Sequence, residues 1–202
     1  MSDQEREVKF YIQNLEEMAE RLQACGADLV RQRTFELNLR FDTAFHELHK
    51  SGRLLRLRQD DCARVTFKGN AHVEGGVIAR TELEFTVDDF AMARRLFEAL
   101  DYRVVVSYEK YRRVYRLGDV EVVLDELPFG HFLEIEGPTN ALIAGVALLL
   151  GLDWSRGIAT NYLGLFEIAR SKRGFTFNDL TFENFRGLTI QPEDMGVSPA
   201  DE

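Results

Sequence analysis

Two carboxylates and an ammonium group stand at alternate positions near the start of the chain, at Glu5, Glu7 and Lys9. Successive side chains of a β-strand point to opposite faces, so these three groups would share one face of one strand. Two carboxylates held this close repel each other unless an ion or a ligand lies between them. The motif therefore indicates a strand face that binds something.

The same kind of charged face recurs in later segments. The alternate charged positions are Arg56 and Arg58, Arg80, Glu82 and Glu84, Lys110 and Arg112, and Glu134 and Glu136. The intervening positions are mostly apolar, which is typical of strands that pack one face against a core. Carboxylate pairs mark the first and last of these strands and cations mark the middle ones, so charge is sorted by strand.

The alternation and the capping residues predict about eight strands and four helices. The predicted strands are 5–12, 34–42, 54–59, 64–68, 78–87, 103–117, 119–126 and 131–137, and the predicted helices are 15–25, 90–100, 140–150 and 160–171. The simplest interpretation is an open antiparallel sheet with helices on one face and water on the other. The sorting of charge instead favours closure, an α+β fold in which an eight-stranded antiparallel β-barrel tunnel has a charged lumen and helices packed outside.

Composition limits the class of protein. With 202 residues, of which 45% are hydrophobic and 29% charged, the chain predicts one domain with a sizeable core. A net charge of −9 argues against a nucleic-acid partner and against an anionic membrane surface. The first residues are polar and no apolar run is long enough to span a membrane, which predicts a cytoplasmic protein. Cys25 and Cys62 lack metal-site spacing and are expected to be reduced thiols.

A lumen of this composition predicts its own ligands. Clustered carboxylates repel one another unless a hard cation lies among them, and oxygen ligands suit Mg²⁺ or Mn²⁺. Clustered lysine and arginine side chains require a polyanion, and their donors match phosphate oxygens. A metal ion together with a ring of cations is typical of sites that catalyse phosphoryl or nucleotidyl transfer. The chain contains no P-loop motif, so that class of protein is excluded.

The chain resembles the CYTH superfamily, the triphosphate tunnel metalloenzymes, which include class IV adenylyl cyclases and thiamine triphosphatases. The resemblance runs from Glu5 to about Arg173 and rests on motifs in a fixed order. These are Glu5-x-Glu7-x-Lys9, Leu55-Arg56-Leu57-Arg58, Phe67-Lys68-Gly69, Arg80-x-Glu82-x-Glu84, Lys110-x-Arg112, Asp125 and Phe132-Leu133-Glu134-Ile135-Glu136. The resemblance implies a tunnel domain at residues 1–173, followed by a C-terminal extension at 174–202. The polar composition of residues 187–202 predicts a flexible tail.

The resemblance also implies a role for each motif residue. It implies metal ligands at Glu5, Glu7, Asp125, Glu134 and Glu136, catalytic carboxylates at Glu5, Glu7, Glu82 and Glu84, and triphosphate-binding cations at Lys9, Arg56, Arg58, Lys68, Arg80, Lys110 and Arg112. The family often has a basic residue on a late helix that plugs the tunnel, and Lys172 or Arg173 is the candidate here. Glu36 and Arg40, which belong to no motif, are expected on a solvated surface.

The implied function is that of a divalent-metal-dependent enzyme, with Mg²⁺ or Mn²⁺ as cofactor, that acts on a small-molecule triphosphate. The favoured reaction is that of a class IV adenylyl cyclase, which converts ATP to cyclic AMP and pyrophosphate. The alternative is a triphosphatase for inorganic, thiamine or nucleoside triphosphate. A non-catalytic polyphosphate- or nucleotide-binding module is less favoured, because anion binding alone would not need the carboxylates. The sequence leaves the organic moiety and the oligomeric state open, a homodimer included.

Overall fold

The structure is a computed structural model that describes residues 4–201, apart from the side chains of Gln4, Glu5 and Glu74. Over these residues the strands are β1 Gln4–Ile12, β2 Asp28–Asp42, β3 Leu54–Gln59, β4 Ala63–Lys68, β5 His72–Glu74, β6 Val77–Val87, β7 Arg103–Leu117, β8 Val120–Leu127 and β9 Gly130–Glu136. The α-helices are α1 Leu15–Ala24, α2 Glu47–Lys50, α3 Phe90–Ala99, α4 Asn140–Leu149 and α5 Tyr162–Arg173. Short 3₁₀ helices lie at Trp154–Arg156 and Pro192–Met195.

The sheet closes on itself. Its strands follow the order β1-β9-β8-β7-β2-β3-β4-β6, the pairs are antiparallel, and β6 pairs back to β1. In this closing pair Arg80 lies opposite Glu5, and Ile78 lies opposite Glu7. The short β5 pairs with β6 beyond the end of β4 and adds no step to the ring. The predicted eight-stranded antiparallel tunnel is therefore confirmed.

The elements follow the sequence pattern closely, with a few differences. β2 begins at Asp28 rather than at residue 34, and its added residues pair with the end of β7 through an irregular register. The short α2 and β5 lie in segments predicted as connections. Elements this short have too few residues to show a periodic pattern of hydrophobic side chains. Strand pairing and helix capping stabilise them instead. At α2, the Asp42 carboxylate accepts hydrogen bonds from the backbone N–H groups of Leu48 and His49.

The apolar core lies outside the ring. Outward-facing residues of β1, β8 and β9 pack against α1 and α4 in a cluster that includes Phe10, Met18, Val122, Ile135 and Ile143. A second cluster joins α3 to the outer faces of β2, β3 and β4. Because alternate residues of each strand point the other way, the inner faces are left to charged side chains. Among the described residues, no helix combines the length and the hydrophobicity needed to cross a membrane.

Helix α5 packs on the ring beside the turn between β8 and β9. Its buried residues Tyr162, Leu165 and Phe166 join an apolar cluster with Phe129 and Phe132 at the turn between β8 and β9. Aromatic rings meet edge to face in this cluster, with the Phe132 and Tyr162 centroids 5.1 Å apart. The helix therefore brings its first turn to the lumen.

The segment after α5 is packed against the rest of the molecule. Leu180, Phe185 and Met195 are at most 4% exposed and belong to the same apolar cluster as α5. The Ala200 N–H donates a hydrogen bond to the carbonyl of Tyr11 at 3.0 Å. The structure thus differs from the flexible tail predicted for residues 187–202, because a few apolar side chains spaced through a polar segment are enough to anchor it.

Replacement of a buried side chain in this segment should destabilise the whole fold. Met195 is 1% exposed, so Met195→Ala should lower the free energy of unfolding by about 2–5 kcal/mol through lost apolar contact and a new cavity. Leu188 is 40% exposed and serves as the control, because Leu188→Ala should cost about 1 kcal/mol or less. Urea unfolding measures both, and equal small effects would show that the segment does not pack in solution.

Candidate active site

The inner faces of the strands enclose a charged cavity of about 320 Å³, which we call the lumen. The predicted site residues that line it are Glu7, Lys9, Arg56, Arg58, Lys68, Arg80, Glu82, Glu84, Lys110, Arg112, Glu134 and Glu136. Asp125 lies directly behind Lys110 and Arg112. The side chain of Glu5 lies outside the described part of the chain. Closure of the sheet therefore brings the predicted motifs to one place.

One wall of the lumen is held by ion pairs around Glu134. Its carboxylate accepts hydrogen bonds from Lys9 and, at 2.6 Å, from Arg112. Burial by itself raises the pKa of Glu134, but Lys9 and Arg112 outweigh burial and hold that pKa well below its usual value. Glu134 is therefore ionised at neutral pH and positions two of the predicted phosphate-binding cations.

Asp125 anchors the cations of β7 from behind. It is fully buried, and its carboxylate accepts hydrogen bonds from Arg112 at 2.7 Å, from Lys110 at 3.0 Å and from the Tyr162 hydroxyl at 2.8 Å. Charge-assisted hydrogen bonds of this kind fix both the place and the orientation of the donors. The surroundings of Asp125 are those of a positioning residue, and its role as a metal ligand stays a prediction.

Helix α5 contributes a site residue that no sequence motif marks. Tyr162 is the first residue of the helix, which Asn161 caps by accepting a hydrogen bond from the Gly164 N–H. The Tyr162 ring lies 4.4 Å from the Lys9 ammonium, a cation–π contact inside a buried site. The sequence shows only the cap and an aromatic residue after it, since the contact with the lumen depends on how the helix docks.

The facing wall, from β3, β4 and β6, holds a second set of paired charges. Arg58 donates a hydrogen bond to Glu84 at 3.1 Å, and the Thr66 hydroxyl donates to the same carboxylate at 2.7 Å. Lys68 lies 2.9 Å from Glu82. Both predicted catalytic carboxylates of β6 are thus paired with predicted phosphate-binding cations, so a bound anion would compete with them for the same donors.

Glu36 lies inside the lumen wall, which corrects its predicted place on a solvated surface. It is fully buried, 3.7 Å from Lys110 and 3.8 Å from Arg58, and neither of its oxygens accepts a hydrogen bond from a described residue. Burial by itself raises the pKa of Glu36, but Lys110, Arg112 and further cations lower it to about 2. The same correction applies to Arg40, which lines the lumen. Both residues lie on the charged face of β2, which closure turns inward.

Three carboxylates lie side by side at one end of the lumen. Glu136 is directly opposite Glu7 on β1 and Glu121 on β8. Their oxygens are the ligands that Mg²⁺ and Mn²⁺ prefer. However, no three acidic, histidine or cysteine side chains among the described residues converge closely enough to form a finished metal site, and Glu7 pairs with Arg80 at 3.2 Å. The residue types and their cross-strand positions fit a hard divalent ion. To bind such an ion, the carboxylates must first break their ion pairs with the neighbouring cations.

The basic residues predicted to plug the tunnel do not reach it. Arg173 donates a hydrogen bond to Asp194 at 2.7 Å, and Lys172 lies 3.7 Å from the same carboxylate. They occupy the last turn of α5, whereas Tyr162 in the first turn faces the lumen, and a helix advances about 15 Å over ten residues. The helix thus presents its N-terminal end to the site, and an aromatic hydroxyl takes the place expected for a cation.

A family comparison agrees with the fold. The CYTH domain family matches residues 3–141, which is more than half of the chain, and the chain belongs to this family. A protein of Methanocaldococcus jannaschii named as a candidate adenylate cyclase, MJ0240, is 27% identical over 134 residues, covering 65% of this chain and 75% of the relative.

Solved structures show the same fold at lower identity. A candidate adenylate cyclase from Vibrio parahaemolyticus superposes with a TM-score of 0.70 at 20% identity, covering 78% of this chain and 94% of that one. The adenylyl cyclase candidate HpAC1 from Hippeastrum, described as having a dominant triphosphatase activity, has a TM-score of 0.60 at 19% identity, covering 81% and 95%. At these identities the likeness shows the fold alone.

Removal of the Glu36 charge should destabilise the protein in a pH-dependent way. The folded-state pKa of about 2 lies below the usual value of 4.5. One pKa unit corresponds to about 1.4 kcal/mol, so Glu36→Gln should lower the free energy of unfolding at pH 7 by about 3 kcal/mol. The wild-type protein has this contribution above the usual pKa and loses it as the pH falls towards the folded-state value, so the variant should show the flatter stability profile over that window.

The matched control is Glu98→Gln on the exposed surface of α3. Glu98 pairs with Arg94 at 2.8 Å, and an exposed pair of this kind contributes about 1 kcal/mol or less. Chemical unfolding at several pH values below neutrality measures both variants. A Glu36→Gln protein as stable as Glu98→Gln would contradict the view that Glu36 is a buried counter-ion.

Proposed function

We propose that this CYTH protein is a divalent-metal-dependent enzyme that binds a triphosphate in the lumen and cleaves or rearranges its phosphoanhydride chain, with ATP cyclisation to cyclic AMP and pyrophosphate as the favoured reaction. The observation that carries the proposal is the set of lumen cations interleaved with carboxylates in one buried cavity. Solvating water would screen these charges on a surface, whereas burial strengthens their attraction for a polyanion.

The cations supply the recognition of the phosphate chain. Arg56 on β3 and Lys110 on β7 come from strands separated by β2 alone, and both line the lumen, so one phosphate chain can contact both. Arg56 also donates hydrogen bonds to Thr66 and Tyr108, which hold its guanidinium in place. Preorganised donors of this kind stabilise the negative charge that develops on a leaving pyrophosphate.

The carboxylates supply the proposed metal site. Glu7, Glu134 and Glu136 are the proposed ligands, with Glu121 beside them and Glu5 retained as a predicted ligand. A bound Mg²⁺ or Mn²⁺ would neutralise charge on the phosphate oxygens and polarise the phosphorus atom. The ligands must first leave Lys9, Arg112 and Arg80, which become free to bind phosphate oxygens. Metal and triphosphate are therefore expected to bind together more tightly than either binds alone.

In the favoured reaction the ribose 3′-oxygen forms a bond to the α-phosphorus and the bond from that phosphorus to the bridging oxygen breaks. Pyrophosphate leaves, and the hydroxyl proton goes to a carboxylate. Glu82 and Glu84 on β6 are the proposed acceptors, since both reach the lumen and neither belongs to the proposed metal site. Tyr162 on α5 lines the lumen, and its buried ring takes up space that water would otherwise fill.

A triphosphatase is the second candidate. The residues that line the lumen are mostly charged, so the lumen itself favours no particular organic group and would accept water as the nucleophile. The structural neighbour from Hippeastrum is described as combining an adenylyl cyclase name with dominant triphosphatase activity. Incubation with Mg²⁺ or Mn²⁺ and a panel of ATP, thiamine triphosphate and inorganic triphosphate separates the two, since cyclisation releases pyrophosphate and hydrolysis releases orthophosphate.

The Glu136→Gln substitution tests the proposed metal site. It keeps the size of the side chain but removes one charge from a row of three carboxylates, so it should raise the metal concentration needed for activity and lower turnover about a hundredfold or more. Glu17→Gln on the exposed face of α1 is the control and should leave both quantities unchanged. Normal turnover and metal dependence for Glu136→Gln, or wild-type activity that survives exhaustive chelation, would refute the proposal.

A further inference from the structure

We propose that a second cavity next to the lumen binds the nucleoside part of the substrate, and that Arg40, at the junction of the two, contacts the phosphate nearest to the nucleoside. We call this cavity the outer chamber. It has a volume of about 710 Å³ and lies between the β2–β3 connection at residues 43–53, the first turns of α5, and Val105 and Val106 of β7. The proposal rests on the proposed function, and it fixes the direction in which the triphosphate lies in the lumen.

The outer chamber is continuous with the lumen. Arg40, Leu54, Arg80, Asn161 and Leu163 line both cavities, so the two spaces meet along this border. The border includes Asn161 and Leu163 at the start of α5 and also Arg80, which pairs with Glu7 of the carboxylate row at 3.2 Å. A substrate with its phosphates among the lumen cations can therefore extend its organic end into the outer chamber.

The lining changes character at this border. Beyond the border the lining mixes apolar with polar and charged residues. Phe41, Val105, Val106 and Phe166 line the outer chamber and not the lumen, together with Asp42, His46, His49, Arg53, Glu167 and Asn178. A phosphate chain gains nothing from an apolar wall, whereas a sugar or a heterocyclic base removes its own apolar surface from water there. Small-molecule sites are typically clefts of about 300–1,000 Å³ with mostly apolar walls and a few polar groups. The outer chamber therefore fits an organic group of nucleoside size better than further phosphates.

Arg40 is distinguished from the other lumen cations by the absence of a close carboxylate partner among the described residues. Its side chain is partly buried and is attracted by Asp42 but makes no hydrogen bond or close ion pair with a described residue, whereas Lys9, Arg58 and Lys110 all pair with carboxylates. It also lies directly opposite another cation, Arg56, on β3. A partly buried cation beside a like charge is destabilising until an anion joins it. Binding of a phosphate beside Arg40, at the junction of the two cavities, would relieve this repulsion.

Polar groups on the rim of the outer chamber are available to a ligand. The imidazoles of His46 and His49 make no hydrogen bond with the described residues, and both line this chamber. His46 adopts a left-handed backbone conformation with φ of 54°, which is unusual for a residue other than glycine. Asp42 holds this turn by accepting the backbone N–H groups of Leu48 and His49. The turn therefore holds the imidazoles of His46 and His49 at the wall of the outer chamber. Their ring nitrogens can form hydrogen bonds with a base or a ribose.

The test narrows the outer chamber at a residue that does not line the lumen. Val106→Phe adds bulk on β7 in the outer chamber, directly opposite Arg40 on β2. The matched control is Val73→Phe, at a residue 56% exposed on β5. Calorimetric titration with Mg²⁺ compares an ATP analogue that has methylene bridges at both the α,β and the β,γ positions with inorganic diimidotriphosphate, neither of which contains a phosphoanhydride bond to cleave. Wild type should bind the nucleotide at least about tenfold more tightly than diimidotriphosphate, and Val106→Phe should weaken nucleotide binding by about tenfold while leaving diimidotriphosphate binding unchanged. Val73→Phe should change neither.

Further variants keep the outcomes distinct. His49→Ala removes an exposed side chain and should weaken binding of the nucleotide alone. Lys110→Met should weaken both analogues, because it removes a lumen cation. Three outcomes would overturn the outer-chamber proposal and leave the lumen function intact. The first is that wild type binds both analogues with equal affinity, and the second is that Val106→Phe weakens both equally. The third outcome is an affinity that rises from inorganic triphosphate to inorganic tetraphosphate. If neither analogue binds wild type, the proposed function itself is refuted.

Discussion

The pairing of β1 with β6 is the interaction on which the rest of the structure depends. An open sheet would leave the charged faces of its strands in water, where ion pairs contribute little and no ligand would be held. Closure through the pair of Arg80 with Glu5 and its neighbours turns those faces into a lumen. It also forces the apolar faces outward, and this explains why the helices and the C-terminal segment pack around the ring rather than inside it.

Closure creates an electrostatic constraint as well as a cavity. Buried charges are tolerated only when they are paired, and most of the lumen charges are paired internally. Glu134 pairs with Lys9 and Arg112, Asp125 pairs with Arg112 and Lys110, and the Glu36 carboxylate offsets the charge of the cations near it. Under the proposed function, a triphosphate and a divalent ion would replace these internal pairs, because each carboxylate released by a cation would bind the metal while each cation would bind phosphate. The site is therefore stable without substrate and suited to an exchange of ionic partners.

The inner and outer faces of the strands can be predicted from the sequence because strand alternation is a local property. This rule alone assigns Arg56, Lys110 and Glu134 to the inner face. The same rule applied to Glu36 and Arg40, but their motif-free positions hid the fact that closure buries them. Tyr162 could not be predicted as a site residue, since its contacts with Lys9 and Asp125 depend on the docking of α5. The same docking places Lys172 and Arg173 beside Asp194 rather than at the lumen. In the C-terminal segment, a few buried residues such as Met195 anchor a stretch whose polar composition is typical of disorder.

The central claim is that the lumen exchanges its internal ion pairs for a triphosphate and a divalent ion. A crystal structure of the protein with Mn²⁺ and α,β-methylene ATP tests this most directly, because manganese is located by its anomalous scattering. The account predicts manganese beside Glu134 and Glu136, phosphate oxygens in contact with Arg56 and Lys110, and a broken pair between Lys9 and Glu134. Phosphates bound outside the ring, with the pairs of Glu134 unchanged, would contradict it.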